Sequence, residues 1–161
     1  MKNPAIEHLK QLAMDYNRQR YPNFPENARP KPTYSDKKAN GLTKCIIDWL
    51  RFNGWHAERI NTMGVPVDKR EIVTDVIGRQ RTIGSLEWRR TNSTRGSSDI
   101  HATRHGQSLY VEVKIGADRQ SPAQKDFQWS VERAGATYWI AKDFLTFYET
   151  YQKNYNYENN D

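Results

Sequence analysis

Cysteine is nearly absent from this chain: Cys45 is the single one in 161 residues. A lone thiol rules out an internal disulfide framework and a cysteine-rich zinc site, and it fits a reducing compartment. Its ordinary role is that of a small buried residue. Long apolar runs are missing as well, and Met1-Lys-Asn-Pro carries no signal-peptide pattern, which argues against membrane insertion and secretion. The expectation is a cytoplasmic protein in which the Asn92-Ser-Thr94 sequon goes unused. Acidic residues are in deficit, 19 against 25 Lys and Arg, giving a formal charge of +6. That balance suits a polyanionic partner, though merely soluble basic proteins share it. The length allows one domain with a real core and is too short for two.

Apolar periodicity marks the elements. Ile6, Leu9, Leu12, Ala13 and Tyr16 recur at helical spacing over about Pro4 to Arg18. A loop with Pro22, Pro25, Pro30 and Pro32 follows, so residues 1–37 read as an N-terminal helix with a Pro-rich arm. A second helix over Lys38 to Asn53 places Leu42, Cys45, Ile46, Trp49 and Leu50 on one side, and Gly54 ends it. Trp55 to Thr62 reads as a strand. Between Val65 and Ser98 the pattern weakens; Ile72–Ile77 and Arg81–Trp88 read as a hairpin around Gly78, followed by a polar loop. Ser121-Pro-Ala-Gln124 opens a helix with a capping-box pattern, which Gly135 closes. Ala136–Ala141 reads as a strand and Phe144–Tyr151 as a short aromatic-rich helix. The core is expected over 38–152, with a polar tail at 153–161. Strands flanked by helices argue for an α/β fold with a mixed central sheet.

The chemistry concentrates in one hairpin. Asp99-Ile-His-Ala-Thr-Arg104 and Ser108-Leu-Tyr-Val-Glu-Val-Lys114 both alternate polar and apolar residues, and His105-Gly106 reads as a two-residue turn between them. Counting back from that turn puts Asp99 opposite Glu112, with Lys114 on the same face and His101 opposite Tyr110. Ile100, Ala102, Leu109, Val111 and Val113 collect on the other face, where they can bury. Two opposed carboxylates repel. A hard divalent cation flanked by a lysine would compensate them. The competing account is a solvated surface pair.

The order Gly96-Ser-Ser-Asp99, Val111-Glu112-Val113-Lys114, Ser121-Pro-Ala-Gln124-Lys-Asp-Phe127 and Gly135-Ala-Thr-Tyr-Trp-Ile140 resembles the PD-(D/E)xK nuclease superfamily. It is most similar to its virus-type replication-repair nuclease branch (VRR-NUC). The likeness runs from about Asn40 to Phe144 and includes Gly54-Trp55 through Arg59-Ile60-Asn61. It implies a restriction-endonuclease-like core and a DNA phosphodiesterase dependent on Mg²⁺, with Mn²⁺ as substitute, active in replication, repair or recombination and encoded by a phage or mobile element. Asp99, Glu112 and the Val113 carbonyl would hold the metal, Lys114 would orient or polarise the attacking water, and Gln124 would support the site from its helix.

Relatives often carry a glutamate on the first core helix, about where Asn40 falls. Asn40 brings no charge but could ligate a water through its amide oxygen; with Glu58 and His101 it is a candidate for an additional site. Gln124 could instead be only a helix cap, and His101 a solvated residue. Arg79, Arg81, Arg89, Arg90, Arg95 and Arg104 fall close together and, with Lys125, suggest a phosphate-contacting surface, against a merely solvated basic hairpin. Trp88 and Trp129 would stack on bases or join the core. Two further readings stay open: a nuclease-fold module that binds DNA without cutting it, and a junction resolvase, which would require a homodimer.

Overall fold

A computed structural model describes residues 3–60, 64–89 and 94–155 of the chain. Helix α1 spans Pro4–Arg20, capped by the Asn3 side chain, which accepts the Ala5 N–H, with Pro4 at the position where a missing N–H costs nothing. Helix α2, Ala39–Phe52, buries Leu42, Cys45, Ile46, Trp49 and Leu50 along one stripe. Cys45 is buried there as expected, and burial pushes its thiol up to about 11, far from nucleophilic use. Strand β1 follows at His56–Arg59; Asn61 and Thr62, expected to continue it, lie outside the described residues.

Four strands form the main sheet in the order β1-β6-β7-β8, with β6 at Ile100–Arg104, β7 at Gln107–Val113 and β8 at Thr137–Ala141. The pairs β1/β6 and β6/β7 are antiparallel, whereas β7/β8 is parallel, so the sheet is mixed. Helix α3, Pro122–Arg133, makes the crossover between the parallel strands, and α4, Phe144–Tyr155, closes the chain. Helices α1, α2 and α4 share one face of the sheet. Ile100, Ala102, Leu109 and Val111 meet Leu9, Leu42, Ile46, Trp49, Phe144, Phe147 and Tyr151 there in a single core. Each fully buried Leu or Ile side chain contributes about 1.5–3 kcal/mol. The first helix packs into this core through Ala5, Ile6 and Leu9, and α4 runs past the expected Tyr151 to a buried Tyr155.

The weakly patterned region holds the expected hairpin around Gly78, with strands shorter than expected and a second ladder beneath it. It contains two short ladders: β2, Val65–Asp68, with β5, Leu86–Arg89, and β3, Glu71–Thr74, with β4, Gln80–Ile83. Together they make one two-stranded arm, pinched where Lys69 N–H bonds the Ser85 carbonyl and Gly84 adopts φ +96°. A Cβ on Gly84 would lie 2.2 Å from the Lys69 carbonyl oxygen, so the break in the expected Arg81–Trp88 strand is built in by glycine. No strand of the arm packs against any other helix or strand among the described residues.

Leu109→Ala, at the centre of β7, should lower stability by about 2–5 kcal/mol in urea unfolding. Replacing residues 65–89 by a short Gly/Ser linker should change it by no more than about 0.5 kcal/mol, the usual scale for surface changes. Loss of the cooperative transition in the arm-less protein would refute the arm's independence.

Candidate functional site

The turn between β6 and β7 has positive φ at both His105 (48°) and Gly106 (79°), the backbone a two-residue hairpin of this hand requires. It pairs Arg104 with Gln107, Thr103 with Ser108, Ala102 with Leu109, His101 with Tyr110 and Ile100 with Val111. Asp99 therefore falls opposite Glu112, as counting from the turn requires. At that point the ladder forks: the Asp99 carboxylate, rather than a backbone carbonyl of its strand, accepts the Val113 N–H at 2.9 Å, while the Asp99 carbonyl accepts from Ile60 of the chain leaving β1.

The face turned away from the main core is not solvated. Glu112 is 2 % exposed and Lys114 7 %. The cover is α3, whose Phe127 ring meets Tyr110 edge-on at 5.5 Å and Tyr138 at 6.4 Å. The loop preceding β6 is locked against the helix start, since a Cβ on Gly96 (φ +82°) would sit 2.2 Å from the Ala123 carbonyl oxygen. Ser121 caps α3 in a full capping box: its hydroxyl accepts the Gln124 N–H, and Gln124 Oε1 accepts the Ser121 N–H at 2.9 Å. The other end of the same amide donates from Nε2 to Glu112 Oε1. One Gln124 side chain thus both caps the helix and bonds the Glu112 carboxylate.

Lys114 Nζ also contacts Glu112 Oε1, at 3.1 Å, and reaches Asp118 at 3.3 Å. Oε1 thus takes two donors, whereas the buried Oε2 has no hydrogen-bond partner among the described residues. Burial pushes the Glu112 carboxyl above its ordinary range and the Asp99 charge pushes the same way, with Lys114 pulling back. Burial alone would lower Lys114; its bonds to Glu112 and Asp118 outweigh that and leave it raised. Burial, helped by the Glu112 charge, pushes the Tyr138 hydroxyl up to about 12. The arrangement is a buried carboxylate, Glu112, facing a half-buried one, Asp99, with the buried Lys114 alongside. A carboxylate oxygen without a donor beside a lysine is chemically suited to a hard cation and a water. No group of three or more His, Cys, Asp or Glu among the described residues is arranged to hold a metal ion.

The remaining candidates divide. Glu58 and His101 sit in the next row of the same face, 3.9 Å apart, with His101 stacked on Tyr110 at 4.5 Å and bonded to Ser108. Asn40 stands exposed in the first turn of α2, whose buried stripe packs on the opposite face of the sheet. Arg95 lines a cavity of about 600 Å³ beside the α3 start with Thr94, Pro122, Ala123, Asp126, Phe127 and Ser130. Lys125 is exposed on the same helix. Arg79, Arg81 and Arg89 are exposed on the arm, and Arg90 lies outside the described residues. Arg104 is instead held over the Trp55 and Tyr155 rings, 4.9 and 5.7 Å from their centroids, donating to the Asn53 carbonyl. Trp88 and Trp129 are exposed, not core, and Arg133 lies over Trp129 at 5.1 Å. The sequence reasoning did not single out Asp118 or Tyr138. Asp118 carried a readable signal, an acid four residues beyond Lys114, and Tyr138 shares the alternation of β8 with Ile140, opposite Glu112.

No protein-family model, curated protein or solved structure matches the chain.

A carboxyl held above its ordinary value of 4.5 in the folded state keeps its proton there longer than in the unfolded chain. The native state therefore binds more protons just above that value, and stability falls as pH rises through the window between the unfolded and folded pKa. Glu112→Gln removes that dependence. In chelator, the melting temperature of wild type relative to Glu112→Gln should fall as pH rises from about 4.5 toward neutrality. A difference independent of pH would mean the carboxyl is not perturbed.

Proposed function

We propose that the chain is a metal-dependent nuclease that hydrolyses DNA phosphodiester bonds. One observation carries the reading: a buried carboxylate, Glu112, whose Oε1 is held by Gln124 and Lys114 and whose Oε2 meets no hydrogen-bond partner among the described residues, directly across from Asp99. A structural ion pair would be expected to satisfy both oxygens. The residue order that resembles the PD-(D/E)xK superfamily and its VRR-NUC branch supports the same reading, and a mixed sheet flanked by helices is what a restriction-endonuclease-like core requires.

In this reading Asp99, Glu112 and the Val113 carbonyl hold Mg²⁺, or Mn²⁺ in its place. Mg²⁺ needs only one or two carboxylates when backbone, water and substrate phosphate complete its shell, so the lack of a third acid is no obstacle. The ion supplies charge compensation for the phosphoryl oxygens and a more acidic water. Lys114 orients that water and stabilises the developing negative charge, with Asp118 and Glu112 keeping it protonated. Gln124 fixes the Glu112 rotamer, and α3 excludes bulk water from the carboxylates. The arginines of the arm and Arg95 contact phosphates, and exposed Trp88 and Trp129 offer stacking faces.

The neutral, exposed Asn40 favours one rival, a nuclease-fold module that binds DNA without cutting it. Assays of the pure protein on duplex, nicked, flapped and four-way DNA with Mg²⁺ or Mn²⁺ separate the two. Asp99→Asn, Glu112→Gln and Lys114→Met should each lower cleavage about 10²–10⁴-fold while retaining the native circular-dichroism spectrum. Turnover near wild type in any of them ends the catalytic assignment.

Metal should also raise the melting temperature, by the equivalent of about 2.7 kcal/mol at a hundredfold excess over its dissociation constant. Asp99→Asn should abolish most of that response and leave the metal-free protein at least as stable, since one of two repelling charges is gone. Ionic-strength-matched NaCl is the control, and equal responses in both proteins would remove the metal site.

A further inference from the structure

The arm formed by β2, β3, β4 and β5 ends in Asp75-Val76-Ile77-Gly78, closed by the Gly78 N–H on the Asp75 carbonyl, the Asp75 N–H on the Arg79 carbonyl and the Arg79 N–H on the Asp75 carboxylate. Val76 is 104 % exposed and Ile77 69 %. Two adjacent aliphatic side chains held out at the end of a ribbon contribute nothing to a core, and the hydrogen-bonded turn beneath presents them outward. The sides of the outer ribbon do not continue this apolar surface. On one face Val73 and Ile83 alternate with Arg81 and Glu71, and the other carries Ile72 among Thr74, Thr82 and Gln80. Such sides are poor seats for a second apolar surface, so the concentrated feature is the tip.

Charge on the arm is arranged with a bias. Asp68 is paired with Arg70, Glu87 with Lys69, and Asp75 is tied to the backbone N–H groups of Ile77 and Arg79. The Arg79, Arg81 and Arg89 side chains have no acidic partner among the described residues, and Glu71 and Asp75 have no basic one, so the arm's excess is a single positive charge, with two of its arginines beside the tip. Arg79 and Arg81 stand just behind the apolar tip. A two-stranded ribbon fits a DNA groove, and apolar wedges flanked by basic residues kink duplex DNA by entering between base steps. The deep, narrow major groove of A-form RNA does not admit such a ribbon.

We infer that the arm is a duplex-DNA-bending element, in which Val76 and Ile77 form a wedge that unstacks a base step while Arg79 and Arg81 hold the flanking phosphates. This rests on the DNA reading above but not on its cleavage chemistry. It gives the protein a preference for duplex that bends easily, at nicks and flexible pyrimidine–purine steps, because less deformation energy then opposes binding.

The test uses the full chain carrying Asp99→Asn, so that DNA stays intact, and a nicked 30-base-pair duplex with donor and acceptor dyes at its ends. Binding should raise energy transfer between the ends. Val76→Ser with Ile77→Ser should lose most of that rise, with the circular-dichroism spectrum unchanged. Arg79→Ala with Arg81→Ala should lower the slope of log affinity against log salt by about 1.8, since each phosphate contact accounts for about 0.9. An equal rise with the tip variant, no binding to the duplex, or a wild-type dimer that the tip variant converts to monomer in sedimentation would each overturn the inference, the last by making the tip a contact between copies. Bending without cleavage by the unsubstituted protein would leave the arm standing and remove the nuclease reading. Cleavage without bending would do the reverse.

Discussion

Two consecutive left-handed residues, His105 and Gly106, decide which side of the sheet every residue from Asp99 to Lys114 occupies. The side-chain period of a strand is two, so a register one residue longer or shorter would exchange the faces wholesale. Glu112 would then enter the space filled by Leu42, Ile46 and Trp49, and Val111 and Val113 would face α3. The penalty on each face reinforces the other. Placing an unpaired carboxylate among aliphatic side chains costs far more than any turn strain, so the core and the polar cluster enforce the same register.

Burial of Glu112 and Lys114 then sets the energetics of the second face. A buried ion pair gains from mutual attraction only what it does not lose to desolvation, and here half the carboxylate is left unsatisfied. Evolution for stability alone would have filled this position with an aliphatic side chain of similar volume. Gln124 is the economical part of the arrangement: one amide satisfies the helix start and aims the carboxylate. Shape and chemistry are consequently inseparable at the α3 N-terminus, because a change that loosens the cap also loosens the acid.

What the sequence made legible was local. The turn, the register, the alternation of both strands, the capping box and the amphipathic stripe of α2 are each written in residues a few positions apart, and the structure follows them. Burial of the acidic face was not legible, because it depends on α3 lying across the sheet, which in turn rests on the contact between Gly96 and the Ala123 carbonyl 27 positions later. The arm was read only in part: its hairpin around Gly78 is present, but the β2/β5 ladder beneath it went unseen. Pro66 masks the β2 pattern, yet a two-stranded ribbon tolerates it at an edge, and Gly84 interrupts what looks like one strand. Trp88, a residue type usually buried, sits on that ribbon exposed because nothing packs over it. Arg104 looked like one of a basic series, and only the folded chain brings it between Trp55 and Tyr155.

Among the described residues no strand of the arm packs on the main sheet or its helices, so the arm gains nothing from the cooperativity of the core. A lone two-stranded ribbon is marginal in water, so its ladder opens with a free energy near zero, far below that of the four-stranded sheet. Amide protons of β2 through β5 would exchange by local fraying and those of β6 and β7 through global opening, within one native population. Anything that grips the arm must therefore pay the conformational entropy of stiffening it.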